Sequence, residues 1–181
     1  MFDDRDMKIA GSHPSQEIRK PPSEEALSPE LRQAMADGDI ERARRLGERM
    51  AEKLLAADRG ESFGLHESAD LLQRRNLLAF TATTGFDRFC KNRTVAAVAY
   101  GAFYDYVKKR SEKTYFEMSD TGVFSFYYLA LRRGGDVERR MGQTFAMLCG
   151  KDGDPVYQEV GEAVYCSFSA DIRAEIREMG L

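Results

Sequence analysis

Four arginines, Arg132, Arg133, Arg139 and Arg140, bracket the pair Gly134-Gly135. Guanidinium groups beside a helix start, where backbone N–H groups are free, form the usual architecture for holding phosphate or carboxylate. Arg132 and Arg133 fall in the last turn of one helix, where the C-terminal dipole accepts cations without help. Arg139 and Arg140 fall in the first turn of the next, where cations are disfavoured by about 0.3–1 kcal/mol each. That placement calls for an anionic counterpart. It is either a carboxylate, from Asp136, Glu138 or the acidic C-terminal third, or a bound anion.

A second stretch combines rings with charge. Ten of the 19 Phe and Tyr residues lie within residues 100–128, interleaved with Lys108, Lys109, Arg110 and Lys113. Tyr104 and Tyr115 beside these cations have the composition of a base-stacking platform flanked by phosphate contacts. The same aromatics also suit a core, where they fill volume. Together the two clusters offer residues 71–151 as a surface for an anionic ligand or nucleic acid. A Tyr-, Phe-, Met- and Cys-lined pocket between the central helices is a third candidate.

Catalytic groups are sparse. The two histidines are His13, in a polar N-terminal stretch, and His66, in a polar link. Cys90 with His66 is the one conceivable thiol pair, and buried inert thiols are the simpler reading. No CxxC, Glu-x-x-His, GxxxxGK[ST] or GxGxxG pattern occurs. The sequence points to no metal, no cofactor and no catalytic residue, and leans away from an enzyme.

Charge is segregated along the 181 residues. Residues 1–70 carry 11 basic and 16 acidic side chains, residues 71–151 carry 14 and 7, and residues 152–181 carry 2 and 7. A basic middle between acidic flanks predicts that the flanks lie against the middle, within one fold or across a homodimer. The alternative is an anionic partner drawn by the summed field. Three well-separated cysteines predict a reducing, cytoplasmic setting rather than a disulfide scaffold. The start MFDDRDMKIAGSH is not a secretory signal, and no apolar run approaches the ~20 residues of a membrane span.

The elements that must position these groups read as helices throughout. Residues 1–28, with Pro21-Pro22 and no apolar period, predict an extended tail. Ser28-Pro29 then pairs an N-cap with a first-turn proline. Asp37-Gly38 stops that helix and Asp39 caps the next, in which Ile40, Ala43, Gly47, Met50 and Leu54 step by three and four. Residues 29–58 are thus a helical hairpin, docked on the core or on a second subunit. A helix over 67–82 is expected to end or break at Thr83-Thr84-Gly85, before a short piece over 86–91.

Thr94 to Arg110 forms the next helix, with Gly101 expected where a neighbour approaches closely. Residues 111–118 are ambiguous. Residues 121–133 are so apolar (Val123, Phe124, Phe126, Tyr127, Tyr128, Leu129, Leu131) that the helix is expected at the centre of the core. After Gly134-Gly135-Asp136 comes an amphipathic helix on Val137, Met141, Phe145 and Leu148. Lys151-Asp152-Gly153-Asp154-Pro155 then stops it and caps a last helix on Val156, Val160, Val164, Phe168, Ile172 and Ile176, with a possible break near Ser167 or Ser169.

The expected architecture is all-α: a compact bundle of six to eight helices around a central buried helix, in which residues 29–181 make one helical domain. The function that fits is a non-enzymatic, cytoplasmic binding protein. It works by protein–protein contact, through self-association as a homodimer or with a regulatory partner, and not at a membrane.

Overall fold

In the computed structural model, residues 28–57, 68–118 and 121–181 are described. The expected tail over residues 1–28, all but its last residue, lies outside these, as do His13, His66 and the link between residues 57 and 68. The described residues form eight α-helices and no strand. They are α1 (Pro29–Ala36), α2 (Asp39–Ala57), α3 (Ser68–Phe89), α4 (Arg93–Arg110), α5 (Glu112–Met118), α6 (Thr121–Arg132), α7 (Val137–Leu148) and α8 (Pro155–Met179).

Local signals set the helix ends. Ser28 Oγ accepts a hydrogen bond from the Leu31 amide at 3.3 Å, Asn92 Oδ1 from Val95 at 2.9 Å, Asp136 Oδ1 from Arg139 at 3.1 Å and Asp154 Oδ1 from Val156 at 2.9 Å. Each relieves an amide that the first turn cannot pair. The tight stops at Gly38 and Gly150 place those glycines at φ 72° and 69°, a left-handed backbone that a side chain resists.

Two close-packed helix pairs, α2 on α4 and α7 on α8, are joined by α3, which also meets α5 and α6. Glycines permit the closeness. A Cβ built on Gly47 of α2 would stand 2.2 Å from the Ala99 carbonyl oxygen of α4, and one on Gly142 of α7 2.2 Å from the Gln158 carbonyl oxygen of α8. Gly101, expected to serve this purpose, has nothing within 4 Å of its would-be Cβ.

The buried central helix is α3, not α6. Leu77, Leu78, Ala79, Phe80, Thr81, Ala82, Gly85 and Phe86 of α3 are all buried, whereas α6 buries Tyr127 and Ala130 and leaves Phe126 and Leu129 about half exposed, at 49% and 50%. Nor does α3 break at Thr83-Thr84-Gly85. Thr81, Thr83 and Thr84 return their hydroxyls to the carbonyls of Leu77, Ala79 and Phe80, so no polar group is stranded. Gly85 admits Ile172 of α8, whose methyl carbons would lie 3.1 Å from a Cβ there. Tertiary packing on both sides of α3 outweighs the weak local preference to stop.

Helix α8 is likewise continuous through Ser167 and Ser169, and its Val156 is 63% exposed rather than inward. The apolar face of the α1–α2 hairpin, Ala34, Ala43, Leu46, Met50 and Leu54, is buried within the subunit, so it is not free to dock on another. Asp39 does not cap α2 as expected. It is 1% exposed and grips Arg42 of its own helix and Lys91 of the α3–α4 turn, fastening the hairpin to the core.

Candidate functional site

The α6–α7 turn carries the arginine cluster and divides it. Gly134 and Gly135 sit at φ 66° and 70°, which lets α6 reverse sharply into α7. Arg133 and Arg140 then line one groove of about 370 Å³ with Phe126, Leu129, Met147 and Asp152. Arg132 and Arg139 are exposed and do not line it. Arg140 folds back over the turn, its Nη2 3.6 Å from where a Gly135 Cβ would be.

Among the described residues none of these four arginines reaches a carboxylate. The counterpart expected from the C-terminal third is employed elsewhere: Glu175 takes Arg49 at 2.7 Å and Lys53 at 3.4 Å, and Asp171 takes Lys53 at 3.3 Å. The acidic tail of the fold therefore pairs with α2, not with the basic middle. Partial burial pushes the Glu175 carboxyl up, but the hydrogen bonds from Arg49 and Lys53 outweigh it and hold the group below its ordinary range.

The exposed residues around the groove were the ones hidden from sequence reasoning. Phe126, Leu129 and Met147, the last 40% exposed, belong to helices whose composition reads as core. On α6 the inward stripe is set by contact with Phe80 of α3, whose ring lies 5.7 Å from Phe124, 5.3 Å from Tyr127 and 5.0 Å from Tyr128. Residues 126 and 129 fall on the opposite side.

The aromatic and basic stretch is also brought together in part. Tyr100, Tyr104, Tyr115 and Phe116 form a chain of ring contacts at 4.7, 6.3 and 5.7 Å, the last two edge to face. Tyr104 is largely buried, its hydroxyl 3.5 Å from Thr83 Oγ1, and desolvation raises its pKa to about 12. The cations are partly spoken for: Lys108 lies over the Tyr115 ring at 5.4 Å, Arg110 over Tyr106 at 5.3 Å, and Lys113 pairs with Glu117 at 3.7 Å. Lys109 is exposed and, among the described residues, has no ion-pair or ring partner. Cations thus cover part of the Tyr115 and Tyr106 rings, while Tyr100 and Phe116 stay 45% and 64% exposed.

Nothing described assembles a nucleophile. Cys90, Cys149 and Cys166 are free thiols far from one another in sequence, and burial raises them to about 11, 12 and 11, the wrong direction for reactivity. Among the described residues no group of three or more His, Cys, Asp or Glu side chains is placed to hold a metal ion. Asp70, 1% exposed at the start of α3, accepts from the Tyr157 hydroxyl at 2.8 Å and adds to the rise at Cys149. That contact ties α3 to α8 and was not foreseen.

No described helix is long and apolar enough to cross a membrane. Compared with protein-family models, with curated proteins and with solved structures, the chain matches none.

Proposed function

We propose that this chain is a non-enzymatic binding protein of the cytoplasm that works through the α6–α7 face, where a second copy of itself docks. The single observation that supports the reading is the groove itself. It presents Phe126, Leu129 and Met147 half exposed and side by side, beside two arginines that form no ion pair among the described residues. Clustered exposed apolar side chains rimmed by charge favour protein contact over open water. The face also holds both signs, Arg133 and Arg140 against Asp152. A two-fold axis through it sets each arginine near the other subunit's aspartate, the self-complementarity an isologous interface needs.

The test is the mass of the full chain in solution across a wide concentration range. The wild type is expected to pass from monomer to dimer, and Phe126→Ser with Leu129→Ser to stay monomeric with an unchanged circular dichroism spectrum. A chain that is monomeric throughout, or a variant that dimerises as the wild type does, removes the reading.

A further inference from the structure

A second cleft lies on the other side of α6, where α3, α7 and α8 meet. It has two chambers, of about 260 and 510 Å³, which share Arg88, Tyr165 and Ser169 as lining and so run into each other. The smaller sets Gly85 and Phe89 of α3 against Tyr128 and Leu131 of α6, with Thr81, Thr84 and Asp87 also on its wall. The larger is charged on two walls. Arg88 and Arg173 stand on the α3–α8 side, and Asp136 and Glu138 stand on the α7 side.

Both arginines lean on one ring and line the larger chamber. Their guanidinium carbons lie 5.5 and 4.6 Å from the centroid of one ring, Phe89, and among the described residues neither reaches a carboxylate. Asp136 and Glu138 likewise have no cation in reach: Asp136 spends one oxygen on the Arg139 amide, and Glu138 lies against Cys166, whose thiol it helps to raise. Opposite charges therefore face one space without closing on each other. Between them Tyr165 is only 8% exposed, and among the described residues its hydroxyl and that of Ser169 make no hydrogen bond. The Tyr165 hydroxyl thus meets the cleft as a donor that a molecule entering it can use.

We propose that this cleft binds a small zwitterion with an apolar side group, an α-amino acid of the aromatic or large aliphatic kind. The carboxylate sits between Arg88 and Arg173 and accepts from the Tyr165 hydroxyl. The ammonium turns to Asp136 and Glu138 on α7. The side group fills the chamber between Phe89, Tyr128 and Leu131. A plain anion satisfies the arginine wall but meets the acidic wall unpaired, and a plain cation does the reverse. Only a molecule carrying both charges uses both.

The test is calorimetric titration of the full chain with L-phenylalanine, L-phenylalaninamide, which lacks the carboxylate, and 3-phenylpropanoate, which lacks the ammonium. Phenylalanine is expected to bind saturably, and each analogue about tenfold or more weaker, the usual cost of losing a charged hydrogen-bonding group. Arg88→Gln with Arg173→Gln is expected to weaken phenylalanine by a similar factor and leave phenylalaninamide unchanged. Both arginines are exposed, so the fold tolerates the change. Tyr165→Phe, which keeps the ring and removes only the hydroxyl, is expected to weaken phenylalanine severalfold at an unchanged melting temperature. No saturable binding of phenylalanine, an equally tight 3-phenylpropanoate, or affinity indifferent to Tyr165→Phe overturns the proposal.

Discussion

Gly47→Ala puts the packing of α2 on α4 to a direct test. The new methyl would lie 2.2 Å from the Ala99 carbonyl oxygen, 2.8 Å from the Phe103 amide nitrogen and 3.0 Å from the Ala102 Cβ. Two of these are backbone atoms within a helix, so no rotamer change relieves the clash and the helices themselves must part. Separating them loosens Ala43, Leu46 and Met50 from Val95, Ala99 and Phe103, all fully buried. Overpacking of this kind costs about 1–3 kcal/mol when flexible side chains can adjust, and the backbone contacts place it at the upper end. Alanine returns about 1 kcal/mol of helix propensity, leaving a net loss of about 2 kcal/mol. For a chain of this length that is a drop of roughly 4–8 °C in melting temperature. The control is Gly101→Ala on α4, which meets nothing within 4 Å and should gain about 0.5–1 kcal/mol. Thermal and urea unfolding followed by circular dichroism measure both. Gly47→Ala as stable as the parent, or Gly101→Ala less stable, refutes the close approach of α2 and α4.

The same reasoning predicts that Gly142→Ala destabilises by a similar amount, since its methyl would lie 2.2 Å from the Gln158 carbonyl oxygen; unfolding midpoints check it. The hydrogen bond from Lys91, with Arg42 adding to it against the opposing effect of burial, holds the Asp39 carboxyl below the usual range, and Glu175 is lowered as well. A depressed carboxylate contributes stability that is present above its unfolded pKa and lost as the pH falls through the folded one. Stability is thus expected to be flat above about pH 5 and to decline below about pH 4. Asp39→Asn should lose about 1–3 kcal/mol at neutral pH and flatten that acid decline, as urea titrations at several pH values would register. All three thiols should react with iodoacetamide more slowly than free cysteine at mildly alkaline pH, because burial disfavours each thiolate; rates equal to those of the unfolded chain would contradict their placement.

What could be read from sequence was what local chemistry decides. Ser28-Pro29, Asp136 and Asp154-Pro155 cap helices because a short side chain reaches an amide two or three residues on, and no distant neighbour is needed. The positions of α1, α2, α4, α7 and α8 followed from such signals and from their apolar period. What failed depended on the partner. Helix α6 reads as central because nearly every residue is apolar, yet it buries Tyr127 and Ala130 and leaves Phe126, Tyr128 and Leu129 exposed. Helix α3 reads as interrupted at its threonines, yet Ile172 of α8 packs against it at Gly85. Gly47 and Gly101 look alike in the chain, and only one faces a backbone. Of the site, the arginines were visible by type, while their division between groove and solvent was set by the Gly134-Gly135 turn. Arg88, Arg173 and Tyr165 lie on two helices far apart in sequence, and no spacing rule joins them.

The α6–α7 face is tested most directly by amide hydrogen exchange of the full chain at rising protein concentration. Protection that grows over residues 124–148, and is absent from Phe126→Ser with Leu129→Ser, is the predicted result. Exchange independent of concentration, or protection gained on α1 or α5 instead, would show that these helices meet no second copy.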